Sequence, residues 1–266
     1  MYDNRNKLQL AILQSTGEYV HVDEVERGLD CNCCCPNCKK PLMAKKGDIR
    51  IHHFAHNGEE CSNPQAKNET ALHEIAKRFI KEANSIMLPA FSLEGTYDKN
   101  CNKDDERQKR AFPFCDKEEF FYDACDLEKY IKEISVRPDV ILHGDKEIYI
   151  EINVTHAVDE DKERKIKDSH IPCVEISLLE FVKGNFSEKE LRDYLIREIN
   201  GKKWIYHYNQ EDFEKRLTER NRKLQEEWEE QRKREAERNR KRQEELEEQR
   251  RREAEKNRKL QEEWEE

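Results

Sequence analysis

The sequence predicts an α/β fold whose elements run helix, three strands, helix, strand, with a small cysteine- and histidine-rich module ahead and a long charged helix behind. Three observations carry this. The run ETALHEIAKRFIKEANSI, from Glu69, spaces Leu72, Ile75, Ala76, Phe79 and Ile80 at the helical repeat. Residues 137 to 156, RPDVILHGDKEIYIEINVTH, hold two β-rich runs about His143-Gly144-Asp145-Lys146. A polar stretch, DEDKERKIKDSH, and an apolar one, IPCVEISLLEF, follow, and read as a helix and a strand brought back beside the sheet by a crossover.

Taken in order, LQLAIL, a turn at Ser15-Thr16-Gly17-Glu18 and YVHV form a small N-terminal hairpin. A cysteine and histidine cluster runs to Cys61, and the Glu69 helix follows, showing Glu69, His73 and Lys77 on its other edge. Residues 96 to 118 are polar and aperiodic and read as an inserted loop. Strands resume at FFYDACDLEKYI. A helix over SEKELRDYLIREI, with Ser187 as N-cap and Glu190 three residues on, closes the core. Composition thus divides the chain into a hairpin and metal-binding module (1–66), an α/β domain (67–208) and a helical tail (209–266).

The chain has 266 residues, 41% of them charged and 35% hydrophobic, and the polar excess is unevenly spread. From Glu219 onward there are 17 acidic and 16 basic residues, leaving 42 acidic against 34 basic before it. That acidic body argues against a large nonspecific nucleic-acid patch. No signal-peptide pattern opens the chain and no stretch approaches eighteen apolar residues, so a cytoplasmic protein with no membrane contact is expected. Five of the ten cysteines lie within residues 31 to 38, a crowding that suits metal binding in a reducing compartment better than disulfides.

The tail repeats. RNRKLQEEWEEQRKREAE from Arg220 recurs as RNRKRQEELEEQRRREAE from Arg238 and begins again at Lys256. Eighteen residues are five helical turns, so Trp228, Leu246 and Trp264 fall on one line of a straight helix. A heptad seam fails, because Leu224 is followed by Gln231 and Arg238. Glu229–Lys233, Glu230–Arg234, Glu247–Arg251 and Glu248–Arg252 are favourable i,i+4 pairs. A long exposed helix is expected over 210–266, with a polar coiled coil, self-association or a protein partner as its alternative use.

In the cysteine cluster, Cys35-Pro36-Asn37-Cys38 is a CxxC knuckle, and His56 and Cys61 complete a tetrahedron for structural zinc. Cys33 and His53 are alternative ligands. Four such ligands leave no open position for chemistry.

A hairpin folded about Asp145 sets Asp139 opposite Glu151, each six residues from the turn centre. Facing carboxylates repel unless a cation lies between them. Metal-dependent phosphodiesterases use that pairing, because a hard divalent cation held by carboxylates activates water and stabilises charge on phosphate. Cys125 and Cys173 sit in apolar strand contexts and read as core thiols.

CPNC, HHFAH, a cysteine five residues later, then ETALHEIAK, RPDV and IEINVTH in that order resemble the competence protein CoiA-like family over roughly residues 8 to 180. The resemblance implies a PD-(D/E)XK (restriction-endonuclease-like) core of order αβββαβ with a zinc-finger-like N-terminal part. It implies a site in which the helix supplies Glu69, the hairpin Asp139 and Glu151, and a lysine stands two residues beyond the second carboxylate. Asn153 occupies that last position; strand period puts it on the face of Glu151, so its amide is expected to position water or phosphate, while the missing charge is expected from Lys162 on the next helix, with Lys165 second. His73, one turn from Glu69, is expected to orient a metal-bound water or a phosphate, and Glu128 to be a possible third carboxylate. Mg2+ or Mn2+ held by Asp139, Glu151 and the Ile152 carbonyl would then support hydrolysis of single- or double-stranded DNA, in competence or in a defence or mobile-element setting. The alternatives are a degenerate nuclease scaffold that binds nucleic acid and an assembly protein acting through its zinc module and tail.

Overall fold

The computed structural model describes residues 7–58, 61, 68–96, 109–155 and 158–265. His156 therefore lies outside the described residues. The chain divides into two compact units, residues 1–92 with 113–210, and residues 93–112 with 211–266.

The first unit opens with the expected hairpin. Strands β1 (Leu10–Leu13) and β2 (Tyr19–His21) pair antiparallel, and β3 (Cys33–Cys34) adds to the other side of β1. Strands β4 (Leu42–Lys45) and β5 (His53–His56) form a second hairpin. Leu8, Ala11, Val20, Val22, Leu42 and Phe54 pack with Cys31, Cys33 and Cys35 into a small core of their own.

Helix α1 (Asn68–Glu82) follows as the periodicity predicts, burying Leu72, Ile75, Ala76, Phe79 and Ile80. Each of the buried Leu, Ile and Phe side chains contributes about 1.5–3 kcal/mol over its exposed state. Strands β6 (Ser85–Leu88), β7 (Phe91–Thr96), β8 (Lys109–Cys115), β9 (Glu118–Leu127), β10 (Val140–Gly144) and β11 (Glu147–Asn153) come next, then helix α2 (Glu160–Asp168) and strand β12 (Cys173–Ser177). Helices α3 (Leu179–Lys183) and α4 (Glu188–Ile196) and strand β13 (Lys202–Tyr206) complete the first unit, whereas β7 from residue 93 and β8 up to residue 112 are counted with the second. Six of the strands form a mixed sheet in the order β13-β12-β11-β10-β9-β6. β11 and β12 run parallel, joined through α2, which is the predicted crossover.

Alternation along the central strands separates two faces. Val140, Leu142, Ile148, Ile150 and Ile152 pack with α1 and α4, whereas Ile141, Tyr149 and Cys173 pack with Ile166 of α2. The sheet is thus the middle of three layers. Ser187 and Glu190 form the predicted capping box of α4, the serine hydroxyl accepting from the Glu190 N–H while the glutamate accepts from the Ser187 N–H.

Three expectations need correction. Between α1 and α2 the described residues form six strands and not three: β6, β9, β10 and β11 lie in the main sheet, and β7 and β8 pair with each other. The stretch 96–118 is not wholly a loop: β7 extends into it, β8 pairs with β7, and β9 begins at Glu118, while 97–108 lie outside the described residues. Phe112 and Phe114 alternate with their neighbours at strand period, a signal masked by the polar run before them, and Pro113 is tolerated in a two-stranded ribbon. IPCVEISLLEF is not one strand either. β12 stops at Ser177 and LLEF turns into α3, because a continuous apolar run does not distinguish strand from buried helix.

In the second unit, helix α5 spans Gln210–Glu265 without a break. Glu230–Arg234 and Glu248–Arg252 pair at 2.6 Å as expected, whereas Glu229 accepts instead from Gln225. The Arg232 guanidinium lies 4.8 Å from the centre of the Trp228 ring one turn before it. Among the described residues, no helix is long and apolar enough to cross a membrane.

Candidate metal and carboxylate sites

The cysteine module brings four donors together. Ligand atoms of Cys35, Cys38, His56 and Cys61 all lie within 4.8 Å of one another, a set that can hold a metal such as zinc. The knuckle folds because Lys39 takes a left-handed conformation, φ 61°, and its N–H donates to the Cys35 carbonyl at 3.0 Å. His56, the last residue of β5, puts Nε2 3.3 Å from the Cys38 sulfur.

Neither alternative ligand joins them. The Cys33 thiol donates to the Cys31 carbonyl at 3.0 Å, and burial, with Cys31 beside it, pushes its pKa up to about 12. His53 Nδ1 lies 2.8 Å from the Ile51 carbonyl. His52 is taken by Asp23, 2.6 Å away.

At the start of β10, Asp139 meets the sheet and α1 together. Its Oδ2 accepts from the Ile152 N–H at 2.7 Å and lies 3.0 Å from His73 Nε2. Burial alone would raise this carboxyl, but the His73 hydrogen bond and charge, the Ile152 N–H and the Lys162 charge hold it below the ordinary aspartate value. The β10–β11 register, with Val140 opposite Ile150 and His143 opposite Glu147, continues to put Asp139 opposite Glu151, as the hairpin geometry predicted.

Glu151 is 3% exposed. Its Oε2 accepts from Lys162 Nζ at 2.5 Å, while Oε1 is buried with no hydrogen-bond partner. Burial is the main reason its pKa rises to about 7, with Asp139 adding to the rise and Lys162 opposing it. Lys162 is thus the lysine that reaches the site, and Lys165 turns to Asp161 at 2.7 Å.

The other expected residues stand differently. Glu69 is exposed and bonded to the Thr155 hydroxyl, so α1 reaches Asp139 through His73 and not through its glutamate. Asn153 Nδ2 donates to Glu175 Oε1 at 3.2 Å. Glu128, turned by a left-handed backbone at φ 49°, accepts from Lys77, which is 3% exposed and also bound to Glu74. His73, Glu74 and Glu128 form a second group of donors within metal-binding distance of one another. Asp139 and Glu151 belong to no group of three carboxylate, histidine or cysteine donors among the described residues. Cys173 is wholly buried and its pKa is driven well above the usual thiol value by that burial, consistent with a core thiol.

Glu175 escaped the sequence reading. It is 2% exposed, stands beside Glu151 in the parallel β11–β12 register, and is held by Lys203 at 2.6 Å and the Val158 N–H at 3.1 Å. A single acid inside the apolar strand CVEIS was its signal, since an unpaired carboxylate is rarely buried.

Residues 21–63 match the family model of the competence protein CoiA N-terminal domain. That segment contains all four donors of the Cys35, Cys38, His56 and Cys61 group and supports the CoiA-like resemblance. It ends before α1, so Asp139, Glu151 and Lys162 fall outside the matched region. No curated protein and no solved structure matches the chain.

Proposed function

We propose that the first unit is a metal-dependent nuclease of PD-(D/E)XK type, hydrolysing DNA phosphodiester bonds, with a zinc ion held by Cys35, Cys38, His56 and Cys61 stabilising its N-terminal module. The observation that carries the reading is Glu151: a carboxylate 3% exposed, one oxygen bound by Lys162 and the other without a partner, facing Asp139 across the hairpin. A buried unpartnered carboxylate oxygen costs stability unless something cationic meets it. Asp139, Glu151 and the Ile152 carbonyl therefore fit Mg2+ or Mn2+, which would lower the pKa of a bound water and neutralise a phosphate.

The chain's own groups have defined parts. His73 and the Ile152 N–H keep Asp139 ionised and oriented. Lys162, 27% exposed, supplies on α2 the positive charge that Asn153 lacks and is accessible to a phosphate. The name of the matched N-terminal domain supports a setting in competence; DNA processing in the cytoplasm, in defence or in mobile-element biology, is the alternative setting.

Full-length zinc-loaded protein should nick plasmid or degrade single-stranded DNA with Mg2+ or Mn2+, and Glu151→Ala and Asp139→Ala should abolish this. Silence of the wild type across metals and substrates, or cleavage undiminished in both variants, overturns the reading. A second reading, a nucleic-acid-binding protein on a degenerate nuclease scaffold, is favoured by Asn153 and by Lys162 already neutralising Glu151. DNA binding by the zinc-loaded protein without cleavage would support it.

A further inference from the structure

Two side-chain oxygens on the α2 face of β11 are buried and without a hydrogen-bond partner, Glu151 Oε1 and Asn153 Oδ1. The residues are two apart on one strand, so their side chains leave the same face of the sheet at a Cα separation of roughly 6–7 Å. Both oxygens are acceptors. Two adjacent buried acceptors without a donor are the local signature of a cation bound by hard oxygen ligands.

The orientation of the Asn153 amide is fixed by chemistry. Both Glu175 oxygens act as acceptors there, Oε2 from Lys203 at 2.6 Å and Oε1 from the Val158 N–H at 3.1 Å. Such a group only accepts, so the amide must offer it Nδ2, which it does at 3.2 Å. Exchanging the amide nitrogen and oxygen would set two acceptors against each other. Glu175 therefore takes the NH2 of Asn153 and leaves its oxygen free of that contact, two residues along the same strand face from Glu151, whose Oε1 is also unpartnered.

We infer that Asn153 supplies a neutral oxygen ligand to the divalent cation of the proposed nuclease site, with Glu175 as the positioning residue that sets the amide. The inference rests on the metal-dependent reading above. It gives the residue at the usual lysine position a different role: ligation by oxygen at 153, and positive charge from Lys162.

The test uses the full-length zinc-loaded protein and Mn2+ as probe, with free Mn2+ followed by electron paramagnetic resonance and bound Mn2+ by water-proton relaxation. Glu151→Ala should lose Mn2+ binding. Asn153→Ala should weaken it about tenfold and raise the relaxivity per bound ion, as a water takes the place of the amide oxygen. Glu175→Gln should weaken binding on the order of tenfold as well, and the double variant by little more than either single, because both act through one amide. Mn2+ affinity and relaxivity unchanged in Asn153→Ala, with binding still lost in Glu151→Ala, overturn the Asn153 inference and leave the nuclease reading standing. Mn2+ binding indifferent to Glu151→Ala overturns both. If Glu175→Gln fails to fold, the Asn153 variant decides alone.

Discussion

Replacing Glu151 by glutamine should make the protein more stable at neutral pH, although it removes an ion pair. The folded pKa of Glu151, about 7, stands above its ordinary 4.5, chiefly because burial penalises the charged form. A raised carboxyl contributes stability that is fully present below the unfolded value and is lost as pH rises through the folded one. The separation of about 2.5 pH units corresponds to roughly 3 kcal/mol between pH 4 and pH 8. Glutamine mimics the neutral acid, and Lys162, 27% exposed, keeps water in place of its lost partner. The stability of Glu151→Gln relative to wild type should therefore rise from pH 4 to pH 8 by up to about 3 kcal/mol. Urea unfolding of zinc-loaded protein, without other divalent ions, measures this through Trp204, whose indole N–H donates to the Pro89 carbonyl in the first unit. Saturating Mg2+ should then stabilise wild type alone and narrow the gap. A pH-independent difference, or a variant less stable than wild type at pH 8, refutes the reasoning.

Other outcomes follow from the metal module and the backbone. Elemental analysis should find one zinc per chain in wild type and in Cys33→Ser, whose thiol serves the Cys31 carbonyl, while Cys38→Ser should lower zinc affinity at least about tenfold. Gly201→Ala should cost about 1–3 kcal/mol by thermal unfolding, because φ is 67° there and a Cβ would lie 1.9 Å from the Tyr194 hydroxyl oxygen and 2.9 Å from the Ser177 carbonyl oxygen.

Periodicity made much of this structure readable in advance. Helix α1 has five apolar residues on one stripe, and the hairpin has equal arms about Asp145, so both appear where local pattern puts them. The donors Cys35, Cys38, His56 and Cys61 were legible for a related reason: a knuckle and a short hairpin bring near neighbours in sequence together. Glu175 was not legible, because its meaning depends on the register of a parallel pair joined through a helix, which no local pattern encodes. The exposure of Glu69 was hidden likewise. It and His73 share an edge of α1, and only the position of Asp139 decides which of them meets the sheet. Strands β6 and β13 are short, and their pairing, with β9 and β12, is set by partners distant in sequence.

Helix α1 answers to two neighbours at once. Toward the N-terminal module, its Arg78 grips Glu24 at 2.7 Å; toward the hairpin, its His73 holds Asp139. The module is fastened a second time where the Gln9 side chain pairs with both backbone groups of Phe186, and His21 Nε2 lies 3.1 Å from the same carbonyl. Cutting the chain at residue 66 would thus strip a wall from the remaining fragment, leaving Phe186 and Arg78 without these partners. An inactive fragment would then report a loosened helix and say nothing about the chemistry of the carboxylates. Zinc content belongs among the controls of any assay of the hairpin, since the metal module and the carboxylates lean on opposite ends of one lever.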